Sequence, residues 1–477
     1  MTGAVERVAV FGEGVAAALA ALAIARAFGR LGVSVSWVTR SVAIDPHAAL
    51  VAPPDLIAFH RLLGIDEATL LDDAATTLNM GQQFVGWAGG DGAFLHAYGD
   101  AGSAFASLPF VQHWSRARHA GLQVALEDFC LAAAAAKQGR IGQPRDPAMR
   151  QAVKHGYHLD TARYFGLLVL AGERAGVRRI VDDGACLLKD DGIALSNGET
   201  IEADLLIDAD GAGFGLPVAR CDRLIRASAA RFDPPPLFSR VTAHRAGWTT
   251  LIPLRDRTAV EFVFASRDMT DADAVETLRT KAGAAIASHG PIEVLPERSA
   301  PSQWSGKRVA IGSASSALDA AGLLQLQLAI AQLILLWPID RDEMPEAAIY
   351  NEEMAGTHAR IDDFTAQHFH LNRRIGEPFW DAMRAAPISP ALESKVALFA
   401  ARGKFAHFNH EAHVEDGWAL CMAGYGVVPR STDPQAMAVE DTSLMAEFRR
   451  QLQAIAAEVR QMETHEQAIA RLQRGGQ

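Results

Sequence analysis

Val8-Ala9-Val10-Phe11-Gly12-Glu13-Gly14-Val15-Ala16-Ala17 is the stretch that decides the fold. Its first four residues form a short apolar run, as expected of a strand buried on both faces of a parallel sheet. Two glycines then frame a turn, and Ala18 to Phe28 reads as an alanine- and leucine-rich helix closed by Gly29 and Gly32. Val33-Ser34-Val35-Ser36-Trp37-Val38 supplies the next strand. A glycine turn placed between a strand and a helix, with a second strand following, is the βαβ context of a dinucleotide site. Gly12 and Gly14 permit the tight turn and close approach of a pyrophosphate, and Ala17 stands at the tolerant third position.

Working outward, Leu205-Leu206-Ile207-Asp208-Ala209-Asp210-Gly211 is a second buried strand ending in an acidic glycine turn, and Val309-Ala310-Ile311-Gly312 is a third. Trp248 to Ser266 alternates polar and apolar residues like antiparallel strands. From Pro345 onward the pattern is helical, and Glu440 to Arg474 keeps apolar positions at helical spacing. The expected fold class is therefore α/β: a Rossmann-like βαβ core with an antiparallel sheet and a helical C-terminal region. The expected division is a dinucleotide-type domain over 1–345, with inserted sheet and helices, and a helical region over 346–477 packed on it.

The chain has 477 residues, 49% of them apolar and 21% charged, enough to build a large core. Forty-five basic against 56 acidic residues give a net charge of −11, which argues against nucleic acid as a partner. Four scattered cysteines (Cys130, Cys186, Cys221, Cys421) without paired spacing argue against a disulfide framework or thiolate metal site and suit a cytoplasmic location. No apolar run is expected to span a membrane, and no basic leader precedes the first strand. His407, His410 and His413 recur at three-residue spacing beside Glu411, but the intervening residues do not read as one helical face. No metal is expected there.

Several further patterns resemble the flavin-dependent tryptophan-halogenase family nearly from end to end. Gly247-Trp248-Thr249-Thr250-Leu251-Ile252-Pro253 sits where that family carries Trp-x-Trp-x-Ile-Pro. Phe84-Val85-Gly86-Trp87 and Gln112-His113-Trp114 are similar to segments lining its flavin–substrate interface, and Tyr157 to Asp160 with Glu173 to Val177 is similar to its middle helix. His368, Pro378-Phe379-Trp380 and Gly424-Tyr425-Gly426-Val427-Val428-Pro429-Arg430 follow in the same order. The resemblance implies a two-domain, monooxygenase-type FAD fold that oxidises halide to hypohalous acid, served by a separate flavin reductase. It further implies a lysine that receives the halogen and a glutamate that assists the aromatic substrate.

Both of those positions depart from the family. The lysine is expected five residues before Phe84, where this chain has Asn79, and no lysine or arginine lies between Arg61 and Arg116. The glutamate falls at Gly322 within Leu318-Asp319-Ala320-Ala321-Gly322-Leu323-Leu324, and Thr250 replaces the second signature tryptophan. The nucleotide site departs too. The strand-end acid for the ribose falls at Thr39-Arg40, the family's Gly-x-Gly-Glu-Ala-Thr turn falls at Ala48 to Pro53, and Glu13 projects from the phosphate turn. Gly12, Gly14, Ala17, Thr39, Asp210, Gly211 and Gly312 are the residues left to hold FAD, with binding expected to be weakened or lost.

The expectation is a degenerate halogenase-like protein, unable to halogenate by the family mechanism, serving as a non-catalytic paralogue or as the partner of an active one. The alternative is an FAD-dependent halogenase or monooxygenase with a rearranged site for a small indole-like aromatic ligand. In that case Asn79, Gln82, Gln83, His113 and Asp319 are its polar groups.

Overall fold

The structure is a computed structural model that describes residues 3–41, 43–149, 152–210, 221–295, 303–312, 318 and 320–475. β1 (Arg7–Phe11) runs parallel to β2 (Ser34–Thr39) on one side and to the strand Leu205–Asp208 on the other. Arg178–Val181 extends this sheet beyond β2. Arg308–Ala310 and Gln303–Ser305 extend it beyond Leu205–Asp208. Between β1 and β2, helix α1 (Gly14–Phe28) crosses over with every residue from Val15 to Ala25 buried. Such a helix is apolar all round because it is covered all round. Contrary to expectation, Gly14–Leu31 is long and apolar enough to cross a bilayer by composition; in the fold it is mostly buried.

Beside this core, β3 (Ala49–Ala52) and β4 (Thr77–Asn79) flank the strand Gly156–Asp160, each antiparallel to it. Where the family's glycine turn falls, Ala49–Ala52 is a short strand buried at every residue. One expectation is corrected here. Tyr157 to Asp160 is strand, not helix, and Asp160 caps the helix Thr161–Arg174 by accepting from the Arg163 amide at 2.9 Å.

The second large sheet carries β5 (Gly81–Val85) and β6 (Ala93–Ala97) at one edge. β5 pairs in parallel with Ser239–His244, after which Gly247–Pro253, Thr258–Phe264, Arg223–Ala229 and Ile286–Val294 follow antiparallel. The alternation over Trp248 to Ser266 thus folds as expected.

Beyond Pro345 the described elements are almost all helices, beginning with Glu346–His370. One expected helix is broken: Asp441–Gln461 ends at Met462, and Glu463–Thr464 pairs with Arg140–Ile141. A capping box between Thr464 and Gln467 then starts His465–Arg474. One apolar cluster runs from Leu19 and Ile24 of α1 through Trp304 and Tyr350 to Trp418, Phe448 and Ile469. Residues on both sides of position 345 share that core.

Candidate functional site

The phosphate turn keeps its shape. Gly12 and Gly14 have φ of 134° and 68°, values that L side chains rarely adopt. A Cβ on Gly12 would lie 2.9 Å from Ala209 Cβ and 2.9 Å from Asp210 Oδ1. The Trp37 indole donates to the Gly12 carbonyl at 3.0 Å and fixes the turn from β2. α1 has no side-chain cap and no acid in its first turn, so its leading amides remain available to an anion. Ala17 is fully buried in the core, where the helix lies close to its neighbours.

Glu13, which projects from the phosphate turn, has its charge offset by an ion pair with Arg40, one residue past the end of β2. The same pair gives Arg40 a structural partner. Thr39 is buried with its hydroxyl on the Arg40 carbonyl. Asp210 accepts from the Glu13 amide at 3.1 Å, tying the two strand ends together. Gly312 is buried just past Arg308–Ala310. Gly211, Asp319 and Ser313 to Ser316 lie outside the described residues. What is described at the pyrophosphate end fits FAD.

Asn79 ends β4 fully buried, and its amide is already engaged. Its Oδ1 accepts from the Gly81 amide at 3.0 Å, and its Nδ2 donates to the Tyr98 hydroxyl at 3.4 Å. Gly322 is the second residue of helix Ala321–Leu335 and buried. Gln325, one turn further on, was missed by sequence reasoning. It is 1% exposed, with neither amide atom hydrogen-bonded among the described residues. Its signal was a polar residue inside an apolar helix.

The family-like aromatic segments Phe84 to Trp87, Trp248, His368 and Pro378 to Trp380 converge on one buried cluster. Trp87 lies 4.8 Å from Trp380, 5.8 Å from Trp248 and 5.6 Å from Phe369, while Phe84 stacks on His368 at 4.2 Å. All are buried. Trp380 donates to the His244 carbonyl at 2.7 Å, and His368 bonds the Tyr425 hydroxyl at 2.9 Å. Gln112 likewise serves packing: it donates to the Gly403 carbonyl at 2.7 Å and accepts from the Asp433 amide at 2.8 Å. Thr250 is buried on the face of Gly247–Pro253 that carries Trp248.

A cavity of about 540 Å³ opens beside Asn79, one side chain away. Tyr98, which Asn79 touches, lines it. So do Pro53 and Pro54 after β3, Leu324 from helix Ala321–Leu335, and Ala412 to Val414 of the loop before helix Glu415–Gly424. Apolar surface is interrupted by charge: Arg61 and Lys154 are its cations, and Asp55, Asp100 and Asp416 its carboxylates. Burial, reinforced by Asp100, pushes the Asp416 carboxyl up to about 6. Burial also raises Asp100, against the pull of Lys154. His155 bonds Glu67 at 2.9 Å, and the Tyr157 hydroxyl donates to the same oxygen at 2.8 Å, so this wall is tied down from behind.

The three loop histidines diverge. His413 stacks on Phe364 at 3.7 Å, His410 pairs with Glu353 at 3.2 Å and His407 with Glu415 at 3.1 Å. Among the described residues no group of three or more His, Cys, Asp or Glu could hold a metal ion.

A glycine phosphate turn on a parallel sheet, joined to a second, mostly antiparallel sheet and a helical part that together wall a cavity, is the architecture of the two-domain FAD-binding fold. The sequence model of the tryptophan halogenase family matches residues 7–441, and the chain belongs to that family. It is 22% identical to tryptophan 7-halogenase RebH of Lentzea aerocolonigenes over 494 residues, covering 91% of this chain and 92% of that protein. Its fold superimposes on Xcc4156, a flavin-dependent halogenase from Xanthomonas campestris, with a TM-score of 0.91 at 26% identity over 98% of this chain and 99% of that one. BrvH, a flavin-dependent halogenase from Brevundimonas sp. BAL3, gives a TM-score of 0.89 at 26% identity with the same coverage, 98% and 99%.

Proposed function

We propose that this chain is an FAD-dependent enzyme of the halogenase family that acts on a small aromatic molecule held in the cavity beside Asn79. Reduced flavin comes from a separate reductase. The observation that carries the reading is the cavity itself. It is of ligand size, largely apolar, and bounded by the strand wall that holds Asn79 and the helix that holds Gly322. The uncapped α1 and the Glu13–Arg40 pair leave the pyrophosphate end of the FAD site usable. Bound FAD would supply the oxidising chemistry. The chain's own part is to hold the pyrophosphate on the α1 amides and to keep an aromatic ring among Pro53, Tyr98 and Leu324.

One observation favours a second reading, a non-catalytic paralogue: the Asn79 amide is consumed within the chain, and Gly322 offers no side chain. An absorbance titration separates the two. The enzyme reading expects the visible flavin band to shift and saturate at one FAD per chain. It also expects Gly12→Val to weaken that uptake by about 100-fold or more, since a side chain there is strained and blocks the turn. Absence of any FAD uptake by the wild-type chain would sink the enzyme reading and leave the paralogue.

A further inference from the structure

We infer that Lys154, on the strand side of the cavity, is the amine that carries the halogen in this chain, with Asp416 facing the same cavity as the carboxylate that takes the ring proton. The inference rests on the flavin-dependent halogenase reading above and names the residues that would perform it.

Position 79 cannot do this work. An amide nitrogen has its lone pair delocalised into the carbonyl, and both ends of the Asn79 amide are already hydrogen-bonded. The chain has seven lysines, and among the described residues Lys154 is the lysine that lines the cavity. Arg61 is there too, but a guanidinium stays protonated and is a poor nucleophile.

The topology explains how an amine 75 positions from Asn79 in sequence reaches the same place. Asn79 pairs directly with Gly156, and Lys154 lies two residues before Gly156 on the segment leading into that strand. Two residues along an extended chain cover roughly 7 Å, about the reach of a lysine side chain. The Lys154 amide donates to the Tyr98 carbonyl at 3.0 Å, and the Tyr98 hydroxyl accepts from Asn79. One tyrosine therefore ties the lysine's backbone to the position the family gives its lysine. The Lys154 side chain is exposed and makes no hydrogen bond or ion pair with the described residues. Asp100 is close enough to feel its charge. Asp416 stands in the first turn of helix Glu415–Gly424 and lines the same open cavity, so ammonium and carboxylate border one solvent-accessible volume.

The step balances without further reagents. Hypohalous acid, the co-reactant that the proposed activity supplies, loses its halogen to Nζ. The O–X bond breaks, an N–X bond forms, and a proton from nitrogen leaves with hydroxide as water. The arene then attacks the halogen and the N–X electron pair stays on Nζ; the ring hydrogen passes as a proton to Asp416, which hands it on to Nζ, so amine and carboxylate are both regenerated. The halogen stays formally +1 until the arene reduces it.

The test uses the full chain loaded with FAD, a flavin reductase, bromide and an indole substrate, together with monochlorodimedone, a diffusible trap for hypobromous acid. With the trap in large excess over indole, so that it intercepts oxidant that escapes, the brominated indole is expected to fall by about 100-fold or more for Lys154→Ala, while bromination of the trap persists and the melting temperature is unchanged. Lys154→Arg is expected to behave like Lys154→Ala. Undiminished indole bromination by Lys154→Ala overturns the assignment and leaves the enzyme reading standing. Loss of indole and trap bromination together also overturns it, since that marks a residue needed for oxidant formation or folding. A wild-type chain that brominates neither indole nor trap overturns the enzyme reading and the assignment with it.

Discussion

Lowering the pH from 7.5 to 5 is expected to reduce the melting temperature by about 8 °C, with nearly all of the fall below pH 6.5. Four buried histidines are responsible. Burial alone pulls His60 down to about 4, and burial pulls His158 down to about 3, with His465 adding to it. Burial, followed by Arg374 and Lys281, takes His244 to about 4. Burial, partly opposed by the bond to Pro235, takes His465 to about 4. The geometry agrees: the Leu78 amide donates to His465 Nε2 at 3.0 Å, which requires that nitrogen to be unprotonated. Unfolded histidine binds its proton near pH 6.5, so below that pH the unfolded chain holds more protons than the folded one and stability falls with pH. At pH 5 each group costs about 2 kcal/mol, or roughly 8 kcal/mol for the four. Circular-dichroism melts across this range check it. A melting temperature that stays level from pH 7.5 to 5 contradicts neutral burial, and His158→Gln with His465→Gln is expected to flatten the slope by about half.

Gly156→Ala is expected to give a large loss for a single methyl group. A Cβ there would lie 2.0 Å from the Ala52 carbonyl oxygen and 2.8 Å from the Pro53 carbonyl carbon, both backbone atoms that no side-chain rotation can clear. Either Gly156–Asp160 or β3 must move, and that pairing forms the wall carrying Asn79 and leading to Pro53 and Lys154. The cost is about 3 kcal/mol, at the upper end for overpacking because strand register is at stake. A melt lower by about 3 °C and loss of indole-dependent fluorescence quenching are expected together. A variant with wild-type stability and unchanged ligand binding contradicts the placement of this wall.

The parts of the fold readable in the sequence are those where one local pattern has one structural meaning. Val8 to Val38 announces a buried strand, a phosphate turn and a covered helix because each has its own periodicity. The departures at Asn79 and Gly322 are equally local. Ala49–Ala52 was illegible because four small apolar residues fit a strand, a helix turn or a loop alike, and only pairing with Gly156–Asp160 decides. The Glu13–Arg40 pair joins the C-terminal ends of neighbouring parallel strands, so it becomes visible once β1 and β2 are placed side by side. The cavity needed the whole topology, since Arg61, Tyr98, Lys154, Leu324 and Asp416 come from five separate segments. Position-by-position resemblance looks for an amine at 79, whereas the fold places the Lys154 amine on the cavity from the segment before the adjoining strand.

The central claim is that this chain halogenates with groups outside the family's two positions. Its most direct measurement is the mass spectrum of indole recovered after incubation with the FAD-loaded wild-type chain, a flavin reductase, oxygen and bromide. The account predicts a product bearing the bromine isotope pair that disappears when either flavin or bromide is omitted. Indole recovered unbrominated, from a chain shown to bind FAD and with reduced flavin consumed, would contradict it.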